Sequence, residues 1–129
     1  MTQAAVVLVV DDDDDIRHAT AAFLASAGYS CLEAANGKEA LERLPQLARP
    51  AVVILDVMMP VMDGLEFLEE IGRTGQLAML SIVILSASPM LCKGRCHTDG
   101  LPVIHKPAPP ERLLELVRTR VAPLASTGE

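Results

Sequence analysis

Aromatic side chains are scarce in this chain of 129 residues. Two Phe, one Tyr and no Trp make up 2% of the sequence, although half of all residues are apolar. Aliphatic residues and Met must therefore fill the core, and aromatic stacking is excluded as a major binding device. A single domain of this length buries roughly two thirds of the surface of its unfolded form, so it needs no disulfide or structural metal.

Basic clusters and an even number of cysteines are also lacking. The net charge is −6, and no Lys/Arg cluster interrupts it, so the chain repels polyanions and direct nucleic-acid binding is not expected. Three cysteines are an odd number in a chain that can fold without disulfide bonds, which favours a reducing compartment over secretion. These features predict a cytoplasmic location.

Long hydrophobic runs are missing. No segment reaches the ~18 apolar residues that a membrane helix requires. The apolar stretch at residues 4–10 has no basic residue before it and continues into five aspartates, which is wrong for a signal peptide. We therefore expect no membrane insertion.

What the chain does contain is an alternation of strand-like and helix-like segments. Short apolar runs predict strands at 6–10, 51–55, 81–85 and 103–104, and a weaker strand pattern lies at 30–34. Helical patterns lie between them and after the last, with a weakly patterned segment between Pro89 and Pro102. In the first helix, over about 14–27, the apolar residues at helical spacing are Ile16, Ala19, Phe23 and Ala27. The alternation predicts a doubly wound parallel α/β sheet with helices on both faces.

Helix boundaries carry their own signals. Asn36 with Glu39 three places on predicts a capping box for a second helix to about residue 47. The third helix is expected to begin after Gly64 and to stop near Gly72 or Gly75. The last is expected to begin at Pro109-Pro110, and its inward residues are predicted to be Leu113, Leu114, Val117 and Val121.

Polar residues follow four of the predicted strands. Asp11-Asp12 comes after the first, Asp56 after the third, Ser86 after the fourth and Lys106 after the fifth. The carboxyl ends of parallel strands share one edge, where open α/β sheets bind ligands. Carboxylates that bind a divalent cation, with a hydroxyl and an ammonium beside them, are suited to handling a phosphoryl group.

These segments resemble the receiver domain of bacterial two-component response regulators. The motifs that carry the resemblance, in order, are Val9-Val10-Asp11-Asp12, Asp56-Val57-Met58-Met59-Pro60-Val61-Met62-Asp63-Gly64, Ser86-Ala87 and Lys106-Pro107. The match extends to about residue 121. It implies a flavodoxin-like fold with strand order 2-1-3-4-5, a receiver domain at 1–122 and a C-terminal tail at 123–129.

The resemblance also implies roles for the acidic residues. Asp56 would accept a phosphoryl group from a phosphohistidine on a histidine kinase or phosphotransfer protein. Mg²⁺ would be held by Asp12 and Asp56 directly, by Asp11 through water, and by the backbone carbonyl of Met58. Three crowded carboxylates repel one another unless a cation lies among them, and a hard cation suits oxygen ligands.

The remaining motifs imply a switch that assists its own phosphorylation and dephosphorylation rather than an enzyme acting on other substrates. Ser86 matches the hydroxyl that turns toward the bound phosphoryl group, and Lys106 matches the ammonium that neutralises its oxygens. The Lys106-Pro107 bond is expected to be cis, which Pro permits at small cost. An output partner or effector domain, unidentified from the sequence, would bind the altered surface.

The chain departs from the family pattern at Val103, where many receivers carry Tyr or Phe. The movement of an aromatic ring is thus not expected here. Gly94, Gly100 and a missing apolar stripe predict a mobile or remodelled segment at 90–100.

The residues that flank the predicted phosphoryl site bear on the lifetime of the phosphorylated form. Met58 and Ser88 do not orient an attacking water in any obvious way, so we expect slow autodephosphorylation.

Three alternatives stay open at this point. A phosphorylation-independent pseudo-receiver would keep the fold and bind partners, and the Val103 departure is compatible with it. A haloacid-dehalogenase-like phosphatase would need a second aspartate where this chain has Met58. Cys92, Cys96 and His97 suggest a metal or haem site, but their spacing is Cys-x-x-x-Cys-His, which matches neither haem attachment nor a four-ligand zinc pattern.

Overall fold

A computed structural model describes residues 6–46, 51–57, 61–74, 80–86, 102–106 and 108–126, with side chains as far as residue 120. Its five strands are β1 (Val6–Val10), β2 (Ser30–Ala34), β3 (Ala51–Asp56), β4 (Ser81–Ser86) and β5 (Val103–His105). All pairings are parallel, and the order is β2-β1-β3-β4-β5. The predicted fold class and strand order are therefore confirmed.

The described residues form four α-helices: α1 (Asp14–Ser26), α2 (Gly37–Arg43), α3 (Gly64–Thr74) and α4 (Pro110–Ser126). A short 3-10 helix, Leu44–Gln46, continues α2. The weakly patterned helix predicted between β4 and β5 lies outside the described residues. Within the described ranges, no helix is long and apolar enough to cross a membrane.

The sheet separates two apolar cores because successive side chains of a strand point to opposite faces. Leu8 and Val10 of β1 pack with α2 and α3, whereas Val7 and Val9 pack with α1 and α4. A strand buried on both faces reads as a continuous apolar run, which is why β1, β3 and β4 could be recognised in the sequence. The helices thus cover both faces, as predicted.

Of the predicted apolar stripe of α1, only Phe23 packs against the core, and the predicted inner face was wrong. Ile16 and Ala19 are exposed, and the buried residues of this helix are Arg17, Thr20, Ala21 and Leu24. The helix is therefore rotated by about one residue from the predicted orientation. Arg17 can occupy the inner face because it finds hydrogen-bond partners there. Hydrophobic spacing alone therefore predicted the wrong inner face for α1.

Side-chain caps define the helix starts. Asn36 Oδ1 accepts a hydrogen bond from Glu39 N at 2.9 Å, which is the first half of the predicted capping box. The reciprocal bond differs from the prediction, because Glu39 Oε1 accepts from Ala35 N at 2.9 Å and not from Asn36 N. The sequence reading missed a second box at α3, where Asp63 Oδ1 accepts from Glu66 N at 2.9 Å and Glu66 Oε1 accepts from Asp63 N at 3.0 Å. Both caps satisfy N–H groups that the first helical turn leaves unpaired, and the box at α3 is the reciprocal one.

The bounds of α3 and α4 largely agree with the prediction. The α3 helix continues through Gly72 to Thr74, so the later of the two predicted stops, next to Gly75, is the better one. The α4 helix begins at Pro110 as predicted and reaches Ser126. Its buried residues include Leu113 and Val117, with Leu114 partly buried against the same core, whereas the side chain of Val121 lies outside the described part of the chain. The domain boundary at residue 122 stays a prediction.

Candidate functional site

The carboxyl edge of the sheet brings the predicted polar residues together. Asp11 directly follows β1, Asp56 and Ser86 are the last residues of β3 and β4, and Lys106 directly follows β5. Backbone pairing continues past the strand ends, since Lys106 N donates to Ser86 O at 2.9 Å. The sheet ladder therefore fixes the positions of these residues.

Three carboxylates form a compact acidic cluster. Asp11, Asp12 and Asp56 each offer an oxygen, and these oxygens all lie within 4.8 Å of one another. Asp11 and Asp56 are each only 3% exposed, whereas Asp12 lies at the surface. The cluster thus has a buried floor and one open side, through which an ion or a phosphoryl group could enter.

Lys106 contributes the positive charge next to this cluster. Its Nζ lies 3.4 Å from Asp56 Oδ1 and 3.6 Å from Asp11 Oδ2. The side chain is half-buried, so water screens these ion pairs less than it would at the surface. One ammonium cannot balance three carboxylates, and the cluster keeps a net negative charge.

Electrostatics disfavour the charged form of Asp56. Burial raises the pKa of this carboxyl from 3.8 to about 6, the neighbouring Lys106 opposes the rise, and the negative charges of Asp11 and Asp12 add to it. A divalent cation among the carboxylates would remove that repulsion and favour the ionised form. The donor set, which is all oxygen, fits a hard cation such as Mg²⁺.

Backbone and side-chain contacts hold Asp11 in place. Its N–H donates to Ala34 O at 3.1 Å, and its Oδ1 accepts from Asp13 N at 2.9 Å. Its carbonyl accepts from Arg17 Nη1 at 2.9 Å. Sequence reasoning missed Arg17, and the signal that could have identified it was a lone basic residue following five acidic ones on α1.

A glycine allows α3 to begin directly against Asp56. A Cβ built at Gly64 would lie 2.4 Å from the backbone oxygen of Asp56, and Gly64 N donates to Val57 O at 2.9 Å. Any larger residue would have to displace the backbone that carries the Asp56 carboxylate. The Asp-Gly pair of the sequence motif is therefore both a helix cap and a close backbone approach.

The segment before α3 is strained and packed against α2. Val61 has a φ of 68°, an unfavourable conformation for a β-branched residue, and is 76% exposed. Next to it, Met62 O accepts a hydrogen bond from Gly37 N at 2.7 Å. This bond connects the start of α2 to the segment that leads from Asp56 into α3.

The other predicted site residues are placed as follows. Ser86 is fully buried at the end of β4, on the strand next to the one that carries Asp56. Val103 is partly buried against the core formed with α2 and α3. Outside the described residues lie Met58, Ser88, Pro107, the 90–100 segment and the group Cys92, Cys96 and His97.

Comparison with known proteins identifies a family. The family model of the response regulator receiver domain matches residues 7–118. The response regulator MprA of Mycolicibacterium vanbaalenii is 37% identical over 131 residues, which cover 95% of this chain and 54% of that protein. The chain thus spans about half the length of the curated relatives that it matches first.

Solved structures agree with this match. The chemotaxis protein CheY4 of Vibrio cholerae aligns with a TM-score of 0.78 at 35% identity and covers 91% of this chain and 98% of its own. The response regulator protein TrrA of Thermotoga maritima, solved in complex with Mg²⁺-BeF, aligns with a TM-score of 0.75 at 29% identity and covers 90% of this chain and 98% of its own. The sequence motifs, the sheet order and these similarities agree, and the chain belongs to the response regulator receiver domain family.

Proposed function

We propose that this receiver domain accepts a phosphoryl group on Asp56 from a phosphohistidine of a histidine kinase or phosphotransfer protein. The observation that carries the proposal is the acidic cluster: three carboxylates within 4.8 Å, with Lys106 Nζ 3.4 Å from Asp56. A structural ion pair would need one acid for one lysine. The surplus of negative charge at a buried strand end favours a functional role.

Mg²⁺ is the proposed cofactor, with Asp12 and Asp56 as direct ligands and Asp11 acting through water. The backbone carbonyl of Met58 is proposed as a further ligand, although it lies outside the described residues. When bound, the cation neutralises charge on the carboxylates and on the transferred phosphoryl oxygens. The Mg²⁺-BeF complex of the Thermotoga maritima relative supports this assignment.

The chain's own residues supply the nucleophile and its surroundings. One carboxylate oxygen of Asp56 forms a bond to phosphorus while the P–N bond of the donor phosphohistidine breaks, and the electron pair stays on the leaving imidazole. Lys106 is placed to neutralise a phosphoryl oxygen, and the hydroxyl of Ser86 is proposed to donate a hydrogen bond to another. The acyl phosphate formed is high in energy and can be hydrolysed, so the switch is reversible.

The consequence of phosphorylation is a shift between two conformations of the domain. Because the new group adds charge and acceptor oxygens at the strand ends, it favours whichever conformation brings Ser86 and Lys106 closest to it. A partner or effector domain then binds the altered surface. The net charge of −6 favours a protein partner over direct nucleic-acid contact, and the odd cysteine count supports a cytoplasmic setting.

Intact mass spectrometry tests the proposal. The chain is incubated with Mg²⁺ and acetyl phosphate beside two variants, Asp56→Asn and Asp15→Asn, of which the second alters an exposed acid in the first turn of α1. We expect one added phosphoryl group on the parent and on Asp15→Asn, and none on Asp56→Asn. No addition to a folded parent at any Mg²⁺ concentration would contradict the proposal and favour the phosphorylation-independent pseudo-receiver.

A further inference from the structure

Arg17 is a buried charged residue that the phosphoacceptor mechanism leaves without a role. We propose that Arg17 is a positioning residue for cation binding: its guanidinium fixes the peptide unit between Asp11 and Asp12 and so orients the acidic pair. This inference rests on the proposed function, because it assigns Arg17 to the same cation site.

The guanidinium is held by three different parts of the chain. Nη1 donates to the Asp11 carbonyl at 2.9 Å, Nε donates to Glu33 Oε1 at 3.1 Å, and Nη2 pairs with Asp14 Oδ1 at 2.6 Å. The Arg17 side chain is only 10% exposed. The end of β1, the first turn of α1 and the end of β2 are therefore joined through one rigid group.

These contacts leave Asp11 little freedom. Its N–H is bound to Ala34, its carbonyl to Arg17, and its Oδ1 to the N–H of Asp13. Oδ2 is then the oxygen that faces the Lys106 ammonium, 3.6 Å away. Fixing the other polar atoms of Asp11 thus directs this oxygen into the acidic cluster.

The same anchor acts on Asp12. A peptide unit is planar, so the Asp11 carbonyl and the Asp12 N–H rotate together. Asp12 is exposed and is repelled by the two buried carboxylates, and in the absence of an anchor it could turn outward into water. By holding the Asp11 carbonyl, Arg17 fixes the N–Cα bond of Asp12, so that only rotation about this bond and within the side chain is left to move the Asp12 carboxylate.

Charge and geometry predict opposite effects when Arg17 is neutralised. If the guanidinium acted only through its charge, its removal would make the site more negative and would strengthen Mg²⁺ binding. If it positions the acidic pair, its removal weakens Mg²⁺ binding. The ammonium of Arg17→Lys would restore the positive charge. It would not restore the planar guanidinium, which reaches three acceptors in fixed directions.

Calorimetric titration with MgCl₂ distinguishes these cases in the full chain. We expect Arg17→Met, which keeps most of the apolar stem, and the milder Arg17→Lys to raise the Mg²⁺ Kd about 10-fold, as loss of a residue that orients a metal ligand commonly does. Arg73→Met is the matched control, since Arg73 forms an exposed pair with Glu70 at 2.6 Å, far along α3 from Asp56. Its Kd should equal that of the parent.

A second control separates positioning from general loosening of the fold. Val117→Ala removes buried volume on α4 and lowers stability without changing a contact of Asp11. It should bind Mg²⁺ like the parent, whereas equal weakening in Val117→Ala would overturn the inference. Unchanged or tighter binding in Arg17→Met, or full recovery in Arg17→Lys, would also overturn it. A parent that binds no Mg²⁺ would refute the proposed cation site itself, and with it the role of Arg17.

Discussion

The interior of the sheet and the floor of the site at its carboxyl end are both buried but consist of opposite kinds of residue. Inside, Val53 and Ile84 are apolar and fully buried between helix layers. At the end, Asp11 and Asp56 are 3% exposed and lie beside Lys106. Burial stabilises the fold in the first region, whereas in the second it opposes ionisation of Asp56.

Other unfavourable features also concentrate at the carboxyl end. The positive φ of Val61 and the close approach of Gly64 to the Asp56 backbone lie in the segment that follows β3. Strain and unbalanced charge at one end of an otherwise regular fold are typical of a functional site. The comparison therefore predicts that substitutions in the interior cost stability, whereas some substitutions at the carboxyl end increase it.

The largest effect is expected in the interior. Phe67 on α3 is fully buried, so Phe67→Ala should lower the free energy of unfolding by about 3–5 kcal/mol through lost burial and a residual cavity. Phe23 on α1 is only partly buried, and Phe23→Ala should cost clearly less. Urea denaturation followed by circular dichroism measures both, and equal losses would contradict the assigned core.

The next largest effect is expected at Asp56, where a substitution should raise the free energy of unfolding. In the metal-free chain its pKa is about 6, against 3.8 ordinarily, so the folded form binds this proton more tightly than the unfolded form. The stability that comes from protonated Asp56 is complete below about pH 4 and is lost as the pH rises through 6. Asp56→Asn should therefore be more stable than the parent at pH 7, by up to about 3 kcal/mol.

Denaturation in EDTA at several pH values checks this prediction. The difference in unfolding free energy between Asp56→Asn and the parent should shrink as the pH falls from 7 to 4. A difference that does not change with pH would show that burial does not perturb Asp56. Added Mg²⁺ should stabilise the parent and not the variant, because the variant lacks one of the proposed ligands.

A smaller loss is expected at the contact between α3 and the site. Gly64→Ala places a Cβ 2.4 Å from the Asp56 backbone oxygen, and the overpacking should cost about 1–3 kcal/mol. Phosphoryl incorporation from acetyl phosphate should fall as well, because the backbone of Asp56 must shift. Gly72→Ala, inside the same helix, should be neutral or stabilising, since helices favour alanine over glycine. Equal effects of the two substitutions would contradict the close approach.

The smallest expected effect is a gain in stability at Val61. Val61→Gly should raise the free energy of unfolding by about 1 kcal/mol, because glycine adopts a φ of 68° without the steric cost that valine carries. Val61→Ala keeps a Cβ and should gain less. Thermal unfolding of both variants makes the comparison, and destabilisation by Val61→Gly would show that the side chain of Val61 contributes more than its strain costs.

The sequence predicted the strands better than it predicted the faces of the helices. Buried parallel strands are continuous apolar runs, which made β1, β3 and β4 recognisable. The strands β1 and β2 match their predicted bounds, and β3, β4 and β5 each extend one residue further, to Asp56, Ser86 and His105. The predicted inner face of α1 was wrong because the true inner face carries Arg17. Burial of Arg17 depends on Asp11, which follows β1, and on Glu33 of β2. Contacts between distant segments cannot be inferred from the period of one helix.

The candidate site was predictable to a similar extent. The topology of parallel strands is sufficient to place Asp11, Asp56 and Lys106 at one edge, and the structure brings them within ion-pair distance. The sequence could not show the raised pKa of Asp56, which depends on burial, or the anchor that Arg17 provides to the Asp11 carbonyl. These properties arise from packing and desolvation, which no local motif records.

The central claim is that Asp56 itself becomes the acyl phosphate, and chemical mapping tests it most directly. After incubation with Mg²⁺ and acetyl phosphate, borohydride reduces an aspartyl phosphate to homoserine, and tandem mass spectrometry of the peptides locates the altered residue. We expect homoserine at position 56 in a Mg²⁺-dependent amount. Homoserine at another aspartate, or phosphate retained on a serine or histidine while position 56 stays aspartate, would contradict the account.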